Sequence, residues 1–201
     1  MAIPAPSDAA VPTRMTVERY FALFDEGLLE PDDRVELLEG VVVAMSPRNP
    51  PHDAVMSLVL RALVEAVGAR AAVRCQCSLI LGRYSAPEPD VAVVAGHERD
   101  YMTGHPRNAL LVVEVADTSL AQDRLTKGAL YAAAGVPEYW IVNIRAACVE
   151  VLRAPEAETG RYRERTVIGH GGRLTLAALP DVEVSADDFL PGSLESPAGS
   201  H

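Results

Sequence analysis

Apolar positions recur with a helical period in three parts of the chain, and these parts are predicted to be amphipathic helices. The predicted helices cover 15–27, 52–67 and about 119–134, and Gly135 and Pro137 follow the last one as helix-ending residues. The apolar stripe of the first helix is formed by Val17, Tyr20, Phe21, Phe24 and Leu28. Each helix is therefore expected to bury one face.

Strand-like patterns occupy much of the remaining sequence. The stretch 34–45 predicts a β-hairpin with Glu39 and Gly40 in its turn, and 138–154 predicts a second hairpin. Further strands are predicted at about 71–82, 91–94 and 109–116, with short peripheral strands after residue 160. The order of helix, hairpin, helix, strands, helix and hairpin predicts an α/β fold in which helices flank a mixed sheet.

Two of the predicted strands carry a carboxylate among apolar, β-branched neighbours. Asp90 opens the run Val91–Val94, and Glu114 lies within Leu110–Ala116. Burying an unpaired carboxylate costs several kcal/mol, so each is expected to have a partner. Two carboxylates on neighbouring strands, followed by Lys127 on a helix, could share a divalent cation and a water. Hydrolases that hold Mg²⁺ through oxygen ligands are built in this way.

The helix after the second carboxylate admits two interpretations. Asp123 and Lys127 stand four residues apart, which is the spacing of a surface ion pair that contributes a few tenths of a kcal/mol. Alternatively, Lys127 points back to the end of the strand that carries Glu114. At the start of this helix, Ser119 with Gln122 three residues later fits a capping box.

Four other polar residues have less specific surroundings. The alternating pattern around Glu36 favours a side chain that faces solvent. His52 lies at the N-terminal end of an apolar helix stripe, where a histidine is more often a structural hydrogen-bonding residue than a ligand or base. His97 and His105 fall in a polar link and are assigned no chemistry.

Composition and charge narrow the function classes. The net charge of −10 counts against a large nucleic-acid footprint, which normally needs a basic face, but it leaves room for a local basic groove. No apolar run approaches the roughly 20 residues of a membrane span, so no membrane partner is expected. The chain has three cysteines, and Cys75 and Cys77 are too close together for an easy disulfide. These features favour a reduced, cytoplasmic setting.

The length of 201 residues fits one domain, predicted to span 15–190. The Pro- and Ala-rich segment 1–14 lacks the features of a secretory signal and is expected to be a flexible leader. The segment 191–201 is expected to be a disordered tail.

Several short motifs, taken together, resemble one known family. They are His-Asp-Ala-Val at 52–55, Pro-Asp followed by Val-Ala-Val-Val at 89–94, Val-Val-Glu-Val-Ala-Asp-Thr-Ser at 112–119, Asp-x-x-x-Lys at 123–127 followed by Tyr131, and Ala-Gly-Val-Pro-Glu-Tyr-Trp-Ile-Val-Asn at 134–143. This combination is similar to the Uma-two family of restriction endonucleases, within the PD-(D/E)XK nuclease superfamily. The resemblance extends over nearly the whole chain and implies a restriction-endonuclease-like α/β core.

The resemblance also implies a metal site. Asp90 matches the aspartate of the Pro-Asp motif, and Glu114 matches the acidic residue of the second half-motif. Both would bind Mg²⁺, or Mn²⁺, together with the carbonyl of Val115. Ala116 stands where the superfamily pattern has a lysine. In the Uma-two pattern the lysine is displaced onto the next helix, which corresponds to Lys127.

Further roles follow from the same resemblance. Lys127 would orient or activate the attacking water, and Asp123 would position Lys127. Glu36 resembles the upstream acidic position of the family, and His52 resembles its helix-start histidine. Both are therefore expected to be auxiliary residues of the site.

The implied function is a metal-dependent endonuclease that hydrolyses nucleic-acid phosphodiester bonds, with DNA favoured. One alternative keeps the fold without the chemistry, as a catalytically silent scaffold or protein-interaction module, which an acidic surface suits. A hydrolase of small phosphorylated molecules ranks third, because no nucleotide-cradling loop is present. A homodimer through 138–154 and a protein partner are further expectations. Any sequence specificity is expected to come from loops such as 82–89 and 96–108.

Overall fold

The computed structural model describes residues 14–192, and the predicted alternation of helices and strands is present there. In chain order the elements are α1 (Val17–Asp25), β1 (Val35–Leu38), β2 (Val41–Ala44), α2 (Pro50–Val67), β3 (Ala72–Cys75), β4 (Val91–Val94), β5 (Leu111–Ala116), α3 (Leu120–Gln122), α4 (Gly128–Ala133), β6 (Glu138–Asn143), β7 (Cys148–Glu156), β8 (Arg161–Ile168), β9 (Arg173–Leu176) and β10 (Leu179–Ser185). A π-turn, Asp123–Lys127, joins α3 to α4. Short 3₁₀ turns occupy Gly68–Arg70, Glu98–Tyr101 and Ala186–Asp188. The expected leader and tail lie almost entirely outside the described residues.

Six strands form one mixed sheet in the order β3-β4-β5-β6-β7-β8. β5 and β6 are parallel, because the helical segment between them crosses back over the sheet. The other neighbouring strands are antiparallel. The pairs β1–β2 and β9–β10 form two separate antiparallel hairpins. The α/β class and the mixed sheet flanked by helices are therefore confirmed.

Side-chain alternation along β4 and β5 divides the core into two layers. One layer packs against α2 and the β9–β10 hairpin and includes Val91, Val93, Val113 and Val115. The other packs against α4 and includes Ala92, Val94, Val112 and Ala116. Because successive strand residues point to opposite faces, Asp90 and Glu114 share the second face with these residues.

A third apolar cluster attaches α1 and the first hairpin to the edge of the sheet. Tyr20, Leu37 and Ile80 are buried in it, and the hydroxyl of Tyr20 donates to the carbonyl of Val35 at 3.0 Å. The predicted hairpin turn is correct in detail. Glu39 and Gly40 both have positive φ, as a type I′ turn requires. This packing holds β1 beside the face of the sheet that carries Asp90 and Glu114.

Two local predictions were wrong. The strand predicted over 71–82 ends at Cys75, because Gln76 adopts φ +48 and turns the chain. Ser119 does not cap a helix N–H, since its hydroxyl instead donates to the carboxylate of Asp123 at 2.6 Å. The contact that ends the strand is tertiary, from Gln76 to the carbonyls of Pro89 and Asp90, whereas the one that replaces the capping box is local, between residues four apart.

The hairpin predicted over 138–154 is present as β6 and β7, and it lies inside the sheet. Because β8 covers β7, this hairpin has no free edge to which a second copy of the chain could add a strand. The homodimer stays a prediction, and a dimer through this hairpin would not form by adding a strand to its edge.

All three cysteines are free thiols. Within residues 14–192, no helix combines the length and the apolar character that crossing a bilayer requires.

Candidate active site

A cleft lies at the end of β5, where the first hairpin, the start of α2 and the π-turn meet. The residues singled out from the sequence all line it, namely Glu36, His52, Asp90, Glu114, Val115 and Lys127. They come from five separate parts of the chain, so the fold is what assembles them.

The antiparallel register of β4 and β5 explains how the two strand carboxylates meet. Val91 pairs with Val113. One residue further along this register, Asp90 stands opposite Glu114, on the same face of the sheet. Directly opposed side chains have Cβ atoms about 5 Å apart, which is close enough for both carboxylates to contact one small cation.

Asp90 is held in an ionised form by its neighbours. Its Oδ2 accepts the backbone N–H of Val115 at 2.8 Å and lies 3.2 Å from Nε2 of His52. Burial favours a higher pKa for this carboxyl, but the hydrogen bonds from His52 and from the Val115 N–H outweigh burial and lower the pKa of Asp90 below its ordinary value. The second oxygen, Oδ1, has only a long 3.5 Å contact with Gln76.

Glu114 accepts two donors on a single oxygen. Nζ of Lys127 lies 2.9 Å from Oε1, and the hydroxyl of Tyr131 lies 2.7 Å from the same atom. Burial raises the pKa of Glu114 above its ordinary value, and the Lys127 ammonium opposes this shift. Burial would lower the pKa of Lys127, but attraction to Glu114 and Glu36 outweighs it and raises that pKa. The lysine is therefore an ammonium at neutral pH.

Tyr131 is a site residue to which sequence reasoning assigned no role. Its side chain is fully buried, and burial raises the pKa of its hydroxyl well above the ordinary value, so the group is a permanent donor. The available signal was its spacing of four residues from Lys127, which places both on one helix face.

Glu36 is only 2% exposed, so the interpretation of a solvent-facing side chain was wrong. Its Oε2 accepts the backbone N–H of Glu88 at 3.1 Å, and its Oε1 lies 3.6 Å from Nζ of Lys127. Lys127 thus stands between two buried carboxylates. Glu36, Leu37 and Leu38 are buried in succession, so both faces of β1 are covered and the expected solvent-facing side does not exist.

His52 connects the start of α2 to Asp90. Asn49 caps this helix by accepting the backbone N–H of His52 at 3.1 Å, and this cap fixes the position of His52 in the first turn of the helix. The hydrogen bond to Asp90 raises the pKa of His52, while burial opposes the rise. Its other ring nitrogen, Nδ1, is buried and has no hydrogen-bond partner within residues 14–192.

Asp123 does not form the expected pair with Lys127. Its carboxylate accepts the Ser119 hydroxyl, and its carbonyl accepts the hydroxyl of Tyr139 at 3.2 Å. The same carbonyl accepts the N–H of Gly128, five residues on, which defines the π-turn. A π-turn holds one residue more than an α-helical turn, and this rotates α4 about its axis relative to α3. Lys127 and Tyr131 then both contact Glu114.

Lys127 is also the only lysine in the sequence, and all the other residues in the Lys plus Arg count are arginines. An ammonium is a compact point charge, whereas a guanidinium is a planar fork that needs more room. The space between Glu36 and Glu114 therefore suits a lysine specifically. This compositional signal was present in the sequence and points to the same residue as the motif.

The donor set fits Mg²⁺. Oε2 of Glu114 accepts no hydrogen bond from residues 14–192, and Oδ1 of Asp90 is nearly as open, so each carboxylate has one oxygen facing the cleft. Val115 lines the same cleft and could add its carbonyl. Among the described residues, no three His, Cys, Asp or Glu side chains form a ready metal cage. Mg²⁺ commonly uses one or two carboxylates and keeps several waters, so it does not need such a cage.

Comparison with known proteins identifies the family and supports the fold. The model of the Uma2 family, described as "Putative restriction endonuclease", matches residues 17–187. A crystal structure described as "a putative nuclease belonging to DUF820" from Anabaena variabilis ATCC 29413 matches with a TM-score of 0.66 and 17% identity, over 87% of this chain and 97% of that one. At that identity the likeness shows the fold alone. No curated protein sequence matches the chain.

Proposed function

The chain belongs to the Uma2 family of restriction-endonuclease-like proteins, and from this membership and the cleft we propose that it is a metal-dependent endonuclease. The substrate would be a nucleic-acid phosphodiester, with DNA favoured, and the metal would be Mg²⁺ or Mn²⁺. The observation that carries the proposal is the pairing of Asp90 with Glu114 across β4 and β5, each with an oxygen open to the cleft and with Lys127 beside them.

Asp90, Glu114 and the carbonyl of Val115 would hold the metal. When bound, Mg²⁺ would lower the pKa of a water and neutralise charge on the phosphate. His52 fixes one oxygen of Asp90 and leaves the other directed at the cleft. Lys127 would donate to the oxygen on which negative charge develops, in a site where burial strengthens that interaction.

One observation favours the second candidate, a silent nuclease-fold module that binds a protein partner. Glu114 is already compensated by Lys127 and Tyr131, so the isolated protein is stable without a metal there. In this case the carboxylates and the lysine would form a structural ion cluster. The three free thiols fit a reduced, cytoplasmic setting in either case.

The two candidates are separated by metal titration and cleavage on the same samples. Wild type should bind Mg²⁺ in a calorimeter and nick supercoiled DNA, and Asp90→Asn should lose at least about a hundredfold in rate. Asp25→Asn, at the exposed end of α1, is the matched control and should behave as wild type. A wild-type protein that neither binds Mg²⁺ with a DNA duplex present nor cleaves it would establish the silent module instead.

A further inference from the structure

Two arginines at the rim of the cleft have no carboxylate partner within residues 14–192. Arg34, directly before β1, is half-buried and its guanidinium makes no hydrogen bond or ion pair there. Arg48, between β2 and α2, is exposed and donates only to the neutral side-chain oxygen of Gln76. Both arginines line the cleft alongside the two strand carboxylates. Neither guanidinium directly contacts a carboxylate, although the charge of Arg34 is near enough to Glu88 to oppose the rise in the pKa of that carboxyl that burial causes.

The acidic residues of the cleft do not pair with these arginines because other donors already bind them. Asp117 accepts Asn49 at 2.6 Å and Arg145 at 2.8 Å. Glu88 accepts the hydroxyl of Ser78 at 3.1 Å. Each of the other cleft carboxylates has its own donors within the site. Two guanidiniums left open in a chain of net charge −10 suit an anion that arrives from outside.

Gln76 ties one of these arginines to the metal-binding carboxylate. Its side-chain oxygen accepts Arg48, while its side-chain nitrogen lies 3.5 Å from Oδ1 of Asp90. Its backbone is fixed as well, with φ +48 and its N–H shared between the carbonyls of Pro89 and Asp90 at 3.1 and 3.2 Å. A left-handed conformation is unfavourable for glutamine, so the surrounding contacts hold it there. Arg48 is thereby placed at a defined position relative to Asp90.

We propose that Arg34 and Arg48 bind backbone phosphates of the nucleic-acid strand on either side of the bond to be cut, and that Gln76 positions Arg48. This inference rests on the proposed function. A polynucleotide fits better than a small phosphate ester, because two separate guanidiniums at one cleft can contact two phosphates at once, and only a polynucleotide offers more than one phosphate along its backbone. Lys127 has a different place, because Glu36 and Glu114 hold its ammonium beside the metal-binding carboxylates, at the bond to be cut and not at the flanking phosphates.

The test is the salt dependence of binding, measured without cleavage. Fluorescence anisotropy follows a labelled short DNA duplex, and in parallel a single-stranded RNA of equal length, with Ca²⁺ replacing Mg²⁺ as a cation that takes the same oxygen ligands. Removing one charge that binds a phosphate should reduce the slope of log K against log salt by about 0.9 for the duplex and about 0.7 for a single strand.

Arg34→Gln and Arg48→Gln should each show this reduction and bind at least about tenfold more weakly. Arg48→Lys should keep the slope of wild type while binding more weakly, because charge is retained and the bidentate fork is removed. Gln76→Ala should also keep the slope and lower the affinity, since it removes no charge. Arg61→Gln and Arg161→Gln, at exposed positions on α2 and β8, are the matched controls.

Unchanged slopes in both cleft variants, affinity decreases equal to those of the controls, or no binding of either probe by wild type would overturn the inference. Thermal unfolding of each variant checks that the fold is intact. The proposed nuclease function and the binding of phosphates by the two arginines are tested by different outcomes. A protein that shows these slopes but never cleaves with Mg²⁺ contradicts the nuclease alone, and one that cleaves with unchanged slopes contradicts only the binding of phosphates by the two arginines.

Discussion

The Nζ atom of Lys127 lies 2.9 Å from Oε1 of Glu114, and both side chains are more than nine-tenths shielded from solvent. This pair joins the helical crossover to β5, the strand at the centre of the site. Removing one partner of a buried ion pair leaves the other charge without compensation, which is a large penalty. The relationship therefore affects stability as well as chemistry.

Lys127→Met should lower the free energy of unfolding by about 3 kcal/mol, because Glu36 and Glu114 would then be buried without a cation. Lys127→Arg should restore the charge but not the fit, and cleavage should stay at least about a hundredfold below wild type. Urea unfolding and a plasmid-nicking assay measure the two effects. Arg163→Met, which removes an exposed pair with Glu156, should cost less than about 1 kcal/mol. Equal unfolding midpoints for wild type and Lys127→Met would contradict this account.

Tyr131→Phe removes one donor to Glu114 with almost no change in volume. The hydroxyl lies 2.7 Å from Oε1 of Glu114 in a fully buried position, so leaving that oxygen without its donor should cost about 2 kcal/mol of stability. Without this hydrogen bond, Glu114 should bind Mg²⁺ about tenfold more weakly. Tyr162→Phe is the matched control, because that hydroxyl donates at 2.8 Å to the neutral carbonyl of Val136. Calorimetry should detect the decrease in metal affinity in the first variant alone.

The fold could be predicted from the sequence wherever a local pattern decides the structure. Apolar periods identified the three helical segments and the central strands, and Glu39-Gly40 identified the hairpin turn. Glu36 shows the limit of such reasoning. A two-residue period says which side chains share a face, but it does not show that both faces of β1 are covered or that Glu36 meets Lys127, which is distant in sequence.

Two other features depend on tertiary context in the same way. The strand after Ala72 looks continuous in sequence, but the carbonyls of Pro89 and Asp90 hold Gln76 in a left-handed conformation that ends it. The π-turn at Asp123–Lys127 has no local sequence signature, and the hydroxyl of Tyr139 from β6 contributes to it. The sequence could therefore nominate Lys127 but could not show which carboxylates it contacts.

The turn of the first hairpin offers a test of local strain. Glu39 adopts φ +50, which asparagine tolerates better, and Asn-Gly is the preferred pair in a type I′ turn. Glu39→Asn should therefore raise the free energy of unfolding by about 0.5 kcal/mol. Gly40→Ala should lower it by more than about 1 kcal/mol, because a Cβ there would meet Cβ of Arg14 at 2.6 Å. Chemical denaturation of both variants should give opposite signs, and equal signs would refute the turn assignment.

Glu150, on β7, provides a pH-dependent test of stability away from the cleft. Burial alone would raise its pKa, but hydrogen bonds from Arg124 and Arg165 outweigh burial and hold the pKa below the ordinary 4.5. The unfolded chain therefore takes up a proton at a higher pH than the folded protein. The resulting stabilisation is fully present above about pH 4.5, and it is lost as the pH falls through the lowered value.

Glu150→Gln should consequently cost about 2 kcal/mol at pH 7, because it removes charge-assisted hydrogen bonds from a side chain that is 1% exposed. The difference from wild type should shrink as the pH is lowered below 4.5, since the wild-type carboxyl then becomes neutral as well. Glu156→Gln, in an exposed pair with Arg163, should cost less than about 1 kcal/mol at either pH. Urea unfolding at a series of pH values measures both variants. A cost for Glu150→Gln that stayed constant down to acid pH would show that the arginines do not depress this pKa.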